Sequence, residues 1–153
     1  MRKRAFCQTI FLQNKSQSII TDIITHVGGA AKVLKSFPVK QVLQSDYPKD
    51  SDEYSNYVDA LEQASLTPTT VRETMTFSLD GVSYTVDPPK QETYSDQASN
   101  NSSLIISVEY GTRRFLFAGD AADARLQEFL AEDNGSYDFL KVPYHAMTDA
   151  ATR

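Results

Sequence analysis

The chain has 153 residues, a net charge of −5 and a pI near 4.9, enough length for one domain with its own core. With 41% hydrophobic and 23% charged residues it reads as a soluble globular protein, and with no Lys/Arg stripe beyond Arg2-Lys3-Arg4 it has no electrostatic footprint for nucleic acid. Its one cysteine, Cys7, excludes an intrachain disulfide and fits a reducing, cytoplasmic compartment. No stretch approaches the roughly 20 apolar residues of a membrane span. The apolar part of residues 1–12 is broken by Gln8 and Thr9 and lacks a convincing signal cleavage site.

In chain order, residues 5–12 fit a short strand or a helical turn, and residues 13–17 are a polar break. Residues 18–26 are rich in Ile and Thr and read as a buried strand ending near Thr25 or His26. Gly28-Gly29 follows, then helical spacing over residues 31–37 that Pro38 stops. The glycine pair suits tight packing of a turn on a helix; it lacks the full glycine fingerprint of a phosphate cradle. Residues 39–44 alternate as a strand, residues 45–52 form a polar loop, and Tyr54, Tyr57, Val58 and Leu61 share one helical face. Residues 67–70 read as a turn. Two apolar runs, 75–79 and 82–86, flank Asp80-Gly81 and predict a hairpin. Asp87-Pro88-Pro89 ends it, and residues 90–99 are polar loop.

The most informative stretch is 101–120. The apolar run Leu104–Val108, a turn at Gly111 and the run Phe115–Ala118 predict a second hairpin. Gly119 permits a sharp turn, and Asp120 then stands at the C-terminal edge of a sheet ahead of a helix over residues 121–130. Asp120 has two readings: N-cap of that helix, or a metal ligand or general base, since sites in layered α/β folds collect where strands end. Residues 133–136 are a turn and residues 137–143 a last strand, releasing Tyr144 and His145 into a loop. The mixed order of strands and helices predicts an α/β or α+β sandwich rather than a purely parallel sheet. The two histidines, His26 and His145, lie with Asp120 at predicted strand ends. Two imidazoles and a carboxylate suit Zn, Fe or Mn, while each histidine alone also suits an ordinary hydrogen-bonded role.

Three segments, 25–30, 101–120 and 138–146, resemble the metallo-β-lactamase superfamily, and most closely its branch of bacterial competence (DNA-uptake) proteins and related hydrolases. The resemblance covers about residues 18–147 and implies a partial αββα sandwich with mixed sheets, a single domain over residues 1–153. That family's pattern is a strand ending in His-x-His-x-Asp-His before a Gly-Gly helix, then an Asn-x-x-Ser strand, a Gly hairpin, a Gly-Asp strand end and a His-His-Gly turn. In this chain His26 falls on the last histidine of the first motif, Thr25 on its aspartate, and Ile23 and Thr21 on its first two histidines. At the last turn Tyr144 stands for a histidine and Ala146 for the glycine, and His145 remains. Compared with the family, the chain also starts late and stops soon after His145, which implies a fold fragment or a trimmed relative, with exposed sheet edges suited to pairing with another chain as an oligomer.

The resemblance implies Asp120 as the ligand that bridges two metals in the family, His26 and His145 as remaining ligands, and Tyr144 as an assisting group. Three ligands are the minimum for a catalytic Zn, whereas a dinuclear centre needs more. The expectation is a metal-dependent hydrolase by descent, acting on a small molecule or phosphodiester, with a degenerate centre of weak or no activity; the alternative is a non-catalytic interaction module or relic of the same fold.

Overall fold

The computed structural model describes residues 10–13, 18–21 and 27–143. The chain divides into two compact units, Met1–Thr70 and Val71–Arg153.

In the first unit, β1 (Ile10–Gln13) pairs antiparallel with β2 (Ser18–Thr21). β2 runs parallel to β3 (Gln41–Gln44), and β3 parallel to β4 (Thr69–Thr70). The sheet therefore has the order β1-β2-β3-β4. Helix α1 (Val27–Ser36) joins β2 to β3, and α2 (Asp52–Gln63) joins β3 to β4. α1 starts earlier than its spacing predicts and takes Gly28 and Gly29 into its first turn, so the glycine pair belongs to the helix itself. α2 starts where Ser51 Oγ accepts the Tyr54 N–H at 3.2 Å, and Asp52 and Glu53 place negative charge against the positive end of the helix dipole. Ala30, Ala31 and Leu34 of α1 meet Tyr57, Ala60 and Leu61 of α2 over Val42 of β3. The i, i+3, i+4 spacing of each helix builds that stripe. The expected turn at 67–70 is instead strand β4, because Leu43 and Gln44 pair with Thr69 and Thr70.

In the second unit, β5 (Met75–Leu79) and β6 (Val82–Asp87) form the hairpin predicted around Asp80-Gly81, both with positive φ. A short helical turn, α3 (Ala98–Asn101), precedes β7 (Ile105–Tyr110), which pairs with β6 and with β8 (Arg113–Phe117). Gly111, at φ +59°, makes the turn between them. Helix α4 (Asp123–Glu132) then returns the chain so that β9 (Phe139–Lys141) lies parallel to β8 at the sheet edge. Three antiparallel pairings and one parallel one make this five-stranded sheet mixed, as the order of elements predicts. Four successive residues of β7, Ile105–Val108, are buried, so the strand is covered on both faces. Ile105, Leu116, Ala118, Ala121 and Phe129 form the core between sheet and α4.

Arg125 of α4 is wholly buried in this core. Its Nη2 donates to Asp87 Oδ2 at 2.6 Å and to the Asp87 carbonyl at 2.8 Å, its Nε donates to the Ser103 carbonyl at 3.1 Å, and its backbone N–H donates to Asn101 Oδ1 at 3.1 Å. Asp87 also accepts from Thr74 Oγ1 and Lys90 Nζ. One turn along α4, Glu128 accepts from the Tyr94 hydroxyl, the Lys90 N–H and Gln91 Nε2. The helix thereby ties down the long loop between β6 and α3. Burial and the Glu128 bond push the Tyr94 hydroxyl up to about 12.

Two outcomes are expected. Asp87→Ala leaves a guanidinium charge buried without its closest partner and should cost about 3–5 kcal/mol in urea denaturation, while the paired change Asp87→Leu/Arg125→Met should cost much less. Burial pushes the Asp87 carboxyl up, but hydrogen bonds from Arg125 and Lys90 outweigh it and hold the group below the usual range. A carboxyl held low in the folded state contributes stability that is complete above its unfolded pKa, about 3.9, and is lost as pH falls through the folded value. The urea midpoint should therefore hold from pH 7 to about 5 and drop below about pH 4, and Asp87→Asn should flatten that drop.

Candidate functional site

Strand β8 ends at Phe117, and the next residues turn sharply. Gly119 has φ +61°, a left-handed conformation that a side chain strains, and the Ala121 N–H donates to the Ala118 carbonyl at 3.1 Å. Asp120 rides on this turn, 3% exposed, with Ala118, Ala121 and Ala122 buried around it. The N-cap reading of Asp120 does not hold. The tight turn delays the helix until Asp123, and the cap position is Ala122, which makes no side-chain cap bond.

The second charged group at this turn comes from β9. Its register puts Phe115 beside Phe139 and Phe117 beside Lys141. A clamp around Arg114 sets that register. Arg114 reaches Glu109 at 3.0 Å and Asp133 at 3.1 Å and lies over the Tyr137 ring at 4.4 Å. Its backbone N–H donates to Asp138 Oδ2, and its carbonyl accepts the Asp138 N–H, both at 2.9 Å. Arg113 adds a side-chain bond to Asp138. With β9 held there, Lys141 Nζ donates to the Gly119 carbonyl at 3.0 Å and stands 3.9 Å from Asp120 Oδ1. Burial pulls the Lys141 ammonium down in pKa, and the Asp120 charge opposes this.

Of the residues singled out in the sequence, Asp120 is described; His26, Tyr144 and His145 lie outside the described residues. Among the described residues no group of three or more His, Cys, Asp or Glu could hold a metal ion. The described residues alone thus do not make a metal site, and the set implied by the resemblance depends on His26 and His145. They do supply a buried carboxylate, suited to bind a cation or carry a proton, with an ammonium beside it. Sequence reasoning missed Lys141 and Arg125. The local trace of Lys141 is a charged residue inside the short apolar strand Phe139-Leu140-Lys141-Val142, and that of Arg125 a charge in an alanine-rich segment.

Two hollows lie elsewhere in this unit. One of about 280 Å³ is lined by Gln91, Tyr94, Asp96, Gln97, Asn101 and Asp123. One of about 140 Å³ has Asp87, Glu109, Arg114, Glu132 and Asp133 in its wall. In the second, the carboxylates are already held by Arg125, Lys90 and Arg114. No helix among the described residues is long and apolar enough to cross a membrane.

No family model matches the chain, and no curated protein matches it in sequence. Among solved structures it is similar to a metallo-β-lactamase with a HARLDQ motif from Cronobacter sakazakii (Enterobacter sakazakii), with a TM-score of 0.56 and 9% identity over 86% of this chain and 70% of that one. At that identity the likeness concerns the fold alone.

Gly119→Ala should cost about 1–2 kcal/mol, since alanine resists the left-handed turn. The loss would be read as a lower urea midpoint, with amide shifts centred on residues 118–121 if the strain stays local.

The chain has the mixed α/β architecture of a partial metallo-β-lactamase fold.

Proposed function

We propose that this chain is a hydrolase domain of metallo-β-lactamase type, nearest the competence-protein branch, whose centre has been reduced to one weak metal site with little or no turnover. The observation that carries this reading is the buried Asp120 on the Gly119 turn at the end of β8, in a fold similar to a metallo-β-lactamase. In this reading His26 and His145 join Asp120 around Zn, with Fe or Mn as alternatives, and Tyr144 assists. When bound, such an ion supplies a Lewis acid that activates water toward an ester, amide or phosphodiester. The chain's own contribution is to hold the Asp120 carboxylate in a dry, shaped turn. Thr21, Ile23 and Thr25 stand where the family pattern has two histidines and an aspartate, so a second metal lacks its ligands. A cytoplasmic location belongs to the same proposal.

A second reading, an interaction module of the same fold, is favoured by the β9 edge. Phe139, Leu140 and Val142 are large apolar residues, each about half exposed, on or beside the strand that is outermost in the sheet among the described residues. Such an edge suits pairing with another chain.

Metal content of purified protein by mass spectrometry tests the first reading, with Asp120→Ala as control. The expected result is up to about one equivalent of Zn, Fe or Mn, lost in the control, with weak cleavage of ester or phosphodiester probes. Two equivalents with brisk hydrolysis would overturn the reduced centre. No metal in either folded protein would transfer the case to the interaction module.

A further inference from the structure

We infer that Lys141 is the positioning residue of Asp120, an ammonium delivered by β9 that holds the carboxylate and its turn in place. The inference rests on reading Asp120 as the functional carboxylate. In the pairing with β8, Lys141 stands beside Phe117, two pairs beyond Phe115 and Phe139, and the Phe139 ring packs 6.2 Å from Phe115 and 5.9 Å from Phe117. Residues two apart on a strand share a face, so Lys141 emerges on the aromatic face of its strand. A charge there needs a polar destination, and a lysine stem runs along apolar surface until its head finds one. The destination is the Gly119-Asp120 turn: the Nζ donates to the Gly119 carbonyl and faces the Asp120 carboxylate, whose side chain is 5% exposed against 28% for Lys141. One ammonium thus holds both halves of the turn, the left-handed glycine through its carbonyl and the aspartate through its charge. The strand that delivers it is itself clamped by the Arg114–Asp138 bonds.

A double-mutant cycle in EDTA-treated protein tests this without reference to metal. Lys141→Met should lower the Tm by about 3 °C more in the Asp120 protein than in the Asp120→Asn protein, and Lys141→Arg should recover most of the difference. Equal losses in both backgrounds, or no recovery with arginine, would overturn the inference, because the lysine would then act only through its stem or the Gly119 carbonyl. Should an Asp120 variant fail to fold, the Asp120 carboxyl-carbon NMR shift at fixed pH supplies the same answer. It should move in Lys141→Met and stay in Lys35→Met, and an unmoved signal in Lys141→Met would overturn the assignment. Metal binding with no coupling would leave the proposed function standing without the lysine role; coupling with no metal would do the reverse.

Discussion

A guanidinium without water must have its hydrogen bonds supplied by the fold, and Arg125 is wholly buried. Its Nη2, its Nε and its backbone N–H are met by groups from three separate segments: the end of β6 at Asp87, the approach to β7 at Ser103, and α3 at Asn101, while Nη1 faces Glu128 at 3.6 Å. Each of these segments fixes one side of α4, so the helix that follows the Asp120 turn cannot rotate or slide without breaking a charged bond. The position of the turn thus depends on a side chain that takes no part in it. The arrangement is costly in isolation, since removing two charges from water is unfavourable; what it supplies is a single orientation.

The opposite end of α4 uses charges at the surface. Arg114 collects Glu109, Asp133 and Tyr137, and the Asp138 backbone and carboxylate grip the Arg114 main chain. Exposed pairs of this kind contribute little apiece, and their value at this position is geometric. A parallel strand of three residues has few ladder bonds with which to choose its own register, so the turn that precedes it makes the choice. That choice brings Lys141 level with Phe117 and within reach of Gly119.

The legibility of each element in the sequence follows the range of the forces behind it. The two hairpins are readable because Asp80-Gly81 and Gly111 act on their immediate neighbours, and α2 because its apolar face repeats along its own length. β4 is not, since Thr69-Thr70 is a strand only by virtue of Leu43 and Gln44 beside it. Asp120 is visible as a residue of interest, but the cap role that its position suggests is wrong: aspartate before a helix is a local signal, and a tight turn with its own backbone bond intervenes. Arg125 and Lys141 take their meaning from partners 38 and 22 residues away, which no local pattern encodes.

The order of the chain gives the β8–β9 pairing an entropic consequence. Its two strands are neighbours in the sheet but are separated in sequence by the whole of α4, so their pairing closes a long loop at an entropic cost. That closure is what supplies the aspartate turn with its lysine. β9, the last strand among the described residues, thus joins two ends of one unit: it carries the lysine back across the whole of α4 to the turn where that helix begins.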